Sequence, residues 1–192
     1  MATRVPDSHG VTMVPAFVGL GAPYWDPDAR GAIYGLTLDT TGAHLARAAL
    51  ESVAFQTLDL LEAMKRDGAG LSGTIRIDGG MAANEWLCQF LADVLDVRIQ
   101  RPQYLETTAL GAAFLAGLAT EVWSDLEDIG RNWKQRDCFD PSMQSADRER
   151  LVSGWRSAVA RTLAHNWTGH RSATKEGPRF VAQGTGLPTQ DL

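Results

Sequence analysis

Three stretches of the chain place apolar residues at steps of three and four, the spacing of a helix that buries one face. The first runs from about Ala43 to Arg66, between the capping sequence DTTG and a glycine-rich segment. The second runs from about Asn84 to Leu95, and the third from about Asp147 to Trp167. A fourth predicted helix, ETTALGAAFLAGLATEVW, is rich in small residues, and Thr107 or Thr108 is its expected cap.

The same spacing predicts which side chains these helices bury. The small-residue helix contains Gly111 and Gly117, and we expect it to pack closely against a neighbouring element. We expect the last helix to pack on its own domain rather than on a partner. The predicted buried stripes are Leu50, Ala54, Leu58, Leu61 and Met64 in the first helix, Leu87, Phe90, Leu91, Val94 and Leu95 in the second, and Val152, Trp155, Val159 and Leu163 in the last.

Short runs of strand-forming residues separate these helices. Strands are predicted at Val11–Val14, Gly31–Leu38, Thr74–Ile77 and Val97–Pro102. Strands that alternate with helices in this way predict an α/β fold, with parallel pairing in the later units. We expect one domain over residues 1–167 and a flexible or irregular tail over residues 168–192, where Gly, Thr, Ser and Pro dominate without periodicity.

The composition excludes several classes of partner. The 192 residues carry 18 Lys and Arg against 23 Asp and Glu, a net charge of −5, so the chain has no electrostatic attraction for nucleic acid or anionic membranes. No apolar run approaches the length of a membrane span. The two cysteines, Cys88 and Cys138, form no CxxC motif, and Cys88 is predicted to be a buried thiol. We expect a cytoplasmic protein that binds neither nucleic acid nor a membrane.

The segment IRIDGGMAANEWL carries the candidate chemistry. Gly79 and Gly80 remove two side chains where a strand passes into a helix, and Asn84 adds an amide near the free N–H groups of that helix. Such a backbone, open beside oriented donors, suits a nucleotide, although many strand-to-helix turns carry two glycines. Asp78 could hold a metal-bound water, accept a hydrogen bond or cap the turn.

The remaining polar residues indicate no catalytic motif. The loop GLGAPYWDP lacks the lysine and the Ser/Thr of a P-loop, so we interpret it as a rigid loop packed at a domain face. The four histidines share no motif, and none is spaced for zinc. No serine lies in a nucleophile elbow. The sequence therefore names no catalytic residue and no metal ligand.

Four segments in this order resemble one known family. They are PAFVGLGAPYWDPDARGAIYGLT, AALESVAFQT, IRIDGGMAANEWLCQFLADVL and ETTALGAAFLAG. They resemble the C-terminal domain of the glycerol kinases, which belong to the FGGY family of carbohydrate kinases within the actin/hexokinase/heat-shock ATPase superfamily. The resemblance covers roughly Val11 to Ala164. It implies a partial ribonuclease-H-like α/β domain that lacks its first two strands.

The resemblance also implies a reaction and a nucleotide site. ATP and glycerol would give ADP and glycerol 3-phosphate, with magnesium. Gly80 and Asn84 match family positions that contact the adenine nucleotide, and Asp78 and Gly79 belong to the same turn. Leu20 and Gly21 favour glycerol, because relatives that act on xylulose or gluconate tend to carry Glu-Arg at these positions. One departure is Thr120–Glu121, where relatives often have a glycine.

In the family, the catalytic aspartate and the glycerol-binding residues come from an N-terminal domain that is not found here. We therefore expect the chain to be inactive alone. It would be a truncated chain, the product of a split gene or the product of a partial reading frame. The missing strands predict a gap in the sheet, whose exposed edges would favour a homo-oligomer or a partner. Two alternatives stay open: a non-catalytic nucleotide-binding or interaction module, and part of a kinase for another polyol.

Overall fold

The computed structural model describes residues 1–70 and 73–164. The helices are α1 (Gly42–Arg66), α2 (Glu85–Leu95), α3 (Thr107–Ala119), α4 (Leu126–Gly130) and α5 (Ser145–Ala164). The strands are β1 (Thr12–Val14), β2 (Ala32–Tyr34), β3 (Thr74–Arg76), β4 (Arg98–Pro102) and β5 (Gln135–Phe139), and two 3₁₀ turns span Ala2–Arg4 and Gly80–Ala83. The predicted tail over residues 168–192 and the predicted helix end at Trp167 lie outside the described residues.

The strands within residues 1–70 and 73–164 form two separate sheets. Strands β1 and β2 make an antiparallel pair in which Met13 lies opposite Ile33. The second sheet has the order β3-β4-β5, with β3 and β4 parallel and β5 antiparallel to β4. The parallel pair agrees with the sequence prediction. Strand β5 and helix α4 were not predicted, and β2 is shorter than the predicted Gly31–Leu38.

Helix α2 forms the centre of the core. Its predicted stripe is confirmed, because all five of those side chains are buried, and so is Cys88. Phe90 lies edge-on to Phe55 of α1 at 5.7 Å between ring centroids, and Phe55 stacks on Trp155 of α5 at 5.4 Å. The stripe of α5 therefore packs on its own domain, as predicted.

The predicted stripe of α1 is partly wrong. Ala54 is buried, but Leu50 and Leu58 are half-buried and Met64 is 40% exposed. The buried face of α1 instead consists of Ala48, Glu51, Ser52, Ala54, Phe55 and Asp59. Charged residues tolerate burial only with partners, and the periodicity of apolar residues does not report such partners.

The two buried carboxylates of α1 both have partners, Glu51 within the helix and Asp59 elsewhere in the chain. Glu51 pairs with Arg47 at 3.1 Å. Asp59 accepts hydrogen bonds at Oδ2 from the Tyr24 hydroxyl at 2.8 Å and from the Trp155 indole N–H at 2.7 Å. Burial raises the pKa of both carboxyl groups above the ordinary range. Asp59 thus ties α1 to α5 and, through Tyr24, to the loop between β1 and β2.

Helix α3 differs from its prediction in two respects. None of its residues is buried, so it does not pack closely against another element within residues 1–70 and 73–164. Its N-cap is Glu106, and neither threonine caps the helix with its side chain, since the Thr107 hydroxyl bonds to Asp78 instead. Leu115 is 64% exposed. Even so, no helix in the described part of the chain is both long and apolar enough to cross a membrane.

Candidate functional site

The Asp-Gly-Gly turn connects β3 to α2 and is fixed at both ends by backbone hydrogen bonds. The Ile77 N–H donates to the Gln100 carbonyl of β4 at 3.0 Å. The Gly79 N–H donates to the Leu105 carbonyl at 3.0 Å. Because both acceptors belong to β4 or the segment that follows it, the turn lies beside the carboxyl ends of the two parallel strands. Ligand sites in α/β sheets collect at this edge.

The two glycines differ in backbone conformation. Gly79 has φ = +82°, a conformation that L side chains rarely adopt, so the turn itself requires glycine there. Gly80 has no positive φ and is exposed. A Cβ atom built at either position meets no heavy atom within 4 Å. The open space beside Gly80 is therefore free to receive a ligand, and its glycine is not explained by the conformation of the turn.

Asn84 is the N-cap of α2. Its side-chain oxygen accepts a hydrogen bond from the Leu87 N–H at 3.2 Å, and its own N–H donates to the Met81 carbonyl at 3.0 Å. Cap oxygens of this kind satisfy one of the free N–H groups of the first turn. The side-chain NH₂ group takes no part in the cap and is the part of Asn84 that can contact a ligand.

Asp78 is exposed and accepts a hydrogen bond from the Thr107 hydroxyl at 2.5 Å. This bond joins the turn to the first residue of α3. In the described residues, no group of three or more His, Cys, Asp and Glu side chains is arranged to hold a metal ion.

A buried arginine contacts the buried side of the turn, and the sequence analysis did not predict this residue as part of the site. Arg101 of β4 is 1% exposed and donates from Nη1 to the Ala82 carbonyl at 2.9 Å. The Cys88 thiol donates to the same carbonyl at 3.3 Å, and burial raises the pKa of that thiol. An arginine between Gln100 and Pro102 carries no local signal of burial, because its acidic partner Asp137 lies in the unpredicted strand β5.

A groove of about 760 Å³ lies elsewhere, between the N-terminal segment, α1, α2 and α5. None of the four candidate residues lines it. Its charged residues are largely engaged with one another or with backbone, since Arg47 pairs with Glu51 and stacks on Trp86 at 3.8 Å, and Arg150 pairs with Asp147 at 3.1 Å. The charged side chains of the groove are therefore largely occupied by contacts within the chain, whereas the backbone at Gly80 is open.

The chain matches known proteins over most of its length. Residues 1–120 match the profile described as "FGGY family of carbohydrate kinases, C-terminal domain". A glycerol kinase of Gluconobacter oxydans is 60% identical over 163 residues, which are 85% of this chain and 32% of that protein. Glycerol kinase 1 of Clostridium tetani is 55% identical over 166 residues, covering 86% of this chain and 33% of that protein.

Solved structures show the same fold. The glycerol kinase of Plasmodium falciparum with ADP superimposes with a TM-score of 0.73 at 38% identity, covering 84% of this chain and 32% of that one. A ligand-bound xylulose kinase of Lactobacillus acidophilus gives 0.72 at 26% identity, covering 86% of this chain and 34% of that one. The fold is therefore the expected partial actin/hexokinase-type domain. The chain spans about a third of the relatives it matches and corresponds to the C-terminal part of glycerol-kinase-like proteins. It belongs to the FGGY family of carbohydrate kinases.

Proposed function

We propose that this chain is the nucleotide-binding part of a glycerol kinase, and that the complete enzyme converts ATP and glycerol to ADP and glycerol 3-phosphate. The observation that carries the proposal is the identity of 60% and 55% to two proteins named glycerol kinase. The open turn at Gly80 supports it independently, because this turn is where a ligand can approach the backbone.

In this proposal the turn receives the adenosine side of ATP. Gly80 leaves room for it, Gly79 allows the backbone to turn, and the Asn84 NH₂ group donates a hydrogen bond. Asp78 acts indirectly, by holding the turn to α3 through Thr107. The structural relative from P. falciparum was solved with ADP, which agrees with a nucleotide-binding fold.

The rest of the chemistry would come from polypeptide outside this chain. Phosphoryl transfer requires the nucleophile, the base, the metal and the phosphate ligands to be held in line. We assign to this chain no catalytic base, no glycerol site and no magnesium ligand, and propose that magnesium enters with ATP. We therefore expect this chain alone to be inactive.

We also propose the partner and the surface it covers. The partner is the N-terminal two-thirds of a glycerol kinase, and the surface is α3. Its 13 residues contain no charged side chain and none is buried. An apolar helix left uncovered in this way is typical of an interface. Cys88 and Cys138 are free thiols, which is usual in the cytoplasm, where ATP is available, so we propose that location.

A coupled assay of glycerol phosphorylation tests the proposal. The chain is assayed alone, with the separately produced N-terminal two-thirds of the G. oxydans relative, and joined to that segment in one polypeptide, called here the fused enzyme. We expect no turnover by the chain alone and ATP-dependent turnover by the fused enzyme. Turnover by the chain alone that a substitution within it abolishes would contradict the division of labour. A folded fused enzyme without turnover would contradict the assignment as a glycerol kinase.

A further inference from the structure

Arg101 is a buried cation with two sets of partners. Its side chain reaches the Ala82 carbonyl through Nη1 at 2.9 Å and the Asp137 carboxylate through Nε at 2.8 Å and Nη2 at 2.5 Å. Glu85 lies 3.6 Å from Nη2 but is itself mostly exposed. A charge that is 99% removed from solvent is stable only where its donors are satisfied, so this geometry is strongly determined.

The Ala82 carbonyl lies inside the candidate site. Ala82 belongs to the turn Gly80–Ala83, is 3% exposed, and stands two residues from both Gly80 and Asn84. Its N–H donates to the Gly79 carbonyl at 3.0 Å. The open face of the turn is therefore fixed through its buried face, where Arg101 and the Cys88 thiol share one carbonyl oxygen.

We propose that Arg101 is the positioning residue of the nucleotide-binding turn, and that Asp137 of β5 orients the Arg101 side chain. This inference rests on the proposed function. Arg101 does not contact the nucleotide, but it fixes the carbonyl between the two residues that do. The antiparallel strand β5 thereby contributes to the site from a distance, through a carboxylate that meets β4 at the register Arg101–Asp137.

The guanidinium group is needed for its shape as well as its charge. It carries five N–H donors in a rigid plane and can bond to a carboxylate on one side and a carbonyl on the other. A lysine ammonium is a compact charge on a flexible stem, and it would hold one partner well but not both in this geometry. Lysine at position 101 should therefore preserve the fold better than it preserves the position of the turn.

The fused enzyme provides the test, with Arg101→Met, Arg101→Lys and Asp137→Asn. Arg98→Met is the matched control, because Arg98 lies on the same strand and pairs with Asp140 at 2.7 Å, yet both side chains are more than half exposed and neither contacts the turn. For each variant the Michaelis constants for ATP and glycerol are measured beside a melting curve. Gly80→Val is included as a direct test of the site.

We expect Arg101→Met to raise the Michaelis constant for ATP about tenfold or more, and Arg101→Lys and Asp137→Asn to raise it less. The constant for glycerol should stay within about twofold, and Arg98→Met should change neither. Even if Arg101→Met does not fold, Arg101→Lys and Asp137→Asn decide the result. A folded Arg101→Lys enzyme with a lower melting temperature and an unchanged constant for ATP would overturn the inference. If Gly80→Val also leaves that constant unchanged, the proposed site fails as well.

Discussion

Helices α2 and α3 each follow a strand of the same parallel pair, yet they differ completely in burial. Eight of the eleven residues of α2 are buried, whereas no residue of α3 is buried. Both helices are apolar, so composition does not explain the difference. Helix α2 packs against α1, β4, β5 and α5 of its own chain. Helix α3 has no comparable partner among the described residues.

This difference separates what the chain completes itself from what it leaves to a partner. The region around α2 has an aromatic core and, on the buried side of the turn, the buried Arg101 paired with Asp137. The region around α3 presents a surface of small apolar residues, on which Leu115 is mostly exposed. The candidate site lies between the two, since Asp78 bonds to the first residue of α3 and Ala82 bonds to the core through Arg101. Substitutions on either side should therefore have different consequences.

The largest effect is expected in the core of the chain. Trp155→Ala removes a side chain that is 1% exposed, its stacking on Phe55 and one of the donors to Asp59. We expect the free energy of unfolding to fall by about 3–5 kcal/mol. Leu115→Ala on α3 should change it by less than about 0.5 kcal/mol. Chemical denaturation of the 192-residue chain measures both, and equal losses would contradict the contrast between the regions.

A charge on α3 should act on assembly rather than on stability. Leu115→Glu should leave the melting temperature of the chain unchanged and weaken its binding to the separate N-terminal two-thirds at least tenfold, because an unpaired charge would be buried there. Ser153→Glu adds the same charge to the exposed side of α5 and is the control. Binding is measured by calorimetry. Equal affinity of Leu115→Glu and the unsubstituted chain would show that α3 is not the interface.

Asn84 allows the cap to be separated from the ligand contact. Asn84→Ser keeps a good N-cap oxygen but removes the NH₂ group. In the fused enzyme, the Michaelis constant for ATP should rise about twofold to tenfold, the effect of one lost hydrogen bond of about 0.5–1.5 kcal/mol. The melting temperature should stay nearly constant. If Asn84→Ser lowers the melting temperature and leaves the constant for ATP unchanged, Asn84 is only a cap.

A smaller effect concerns pH and the buried carboxylate Asp59. Burial raises its pKa in the folded state, so the folded protein holds that proton more tightly than the unfolded chain does. Its stabilising contribution is therefore complete below the ordinary pKa of about 3.9 and is lost as the pH rises through the raised folded pKa. Asp59→Asn keeps an acceptor for Tyr24 and Trp155 without the charge.

The melting temperature of Asp59→Asn relative to the unsubstituted chain should thus increase from acid to neutral pH. Asp147→Asn removes a carboxylate from an exposed pair on α5 and should show no comparable change. Melting curves between about pH 3 and 8 make the comparison. A relative melting temperature for Asp59→Asn that falls toward neutral pH would mean that the ionised carboxylate stabilises the fold.

The sequence predictions succeeded where the relevant interactions are local in the sequence and failed where they join distant residues. The stripe of α2 and the burial of Cys88 were predictable because apolar residues at helical spacing report burial locally. The buried face of α1 was not, because Glu51 and Asp59 look exposed in the sequence, and Asp59 has partners as far away as Trp155. Strand β5 was missed because QRDCF is short, polar and half-exposed.

The candidate site shows the same limit. The position of the turn and the glycine pair was predictable from a short segment. The difference between Gly79 and Gly80 could be recognised only from a backbone angle. The part played by Arg101 could be recognised only from its contact with Asp137, 36 residues away. Close packing of α3 was predicted from its small residues, but its partner is not among the described elements. A sequence pattern reports what a helix can pack against, not whether that surface is present.

The central claim is that the open backbone at Gly80 receives the nucleotide. The direct test is Gly80→Val in the fused enzyme, with the Michaelis constants for ATP and glycerol measured beside a melting curve. Gly79→Ala is the control for strain, since its φ of +82° should cost about 1 kcal/mol of stability whether or not a ligand is bound.

We predict that Gly80→Val raises the Michaelis constant for ATP at least tenfold, or about 1.4 kcal/mol. The constant for glycerol and the melting temperature should remain close to those of the unsubstituted enzyme, because a Cβ atom at position 80 meets no heavy atom of this chain within 4 Å. An unchanged constant for ATP with a lowered melting temperature would contradict the claim and leave the turn with a structural role alone.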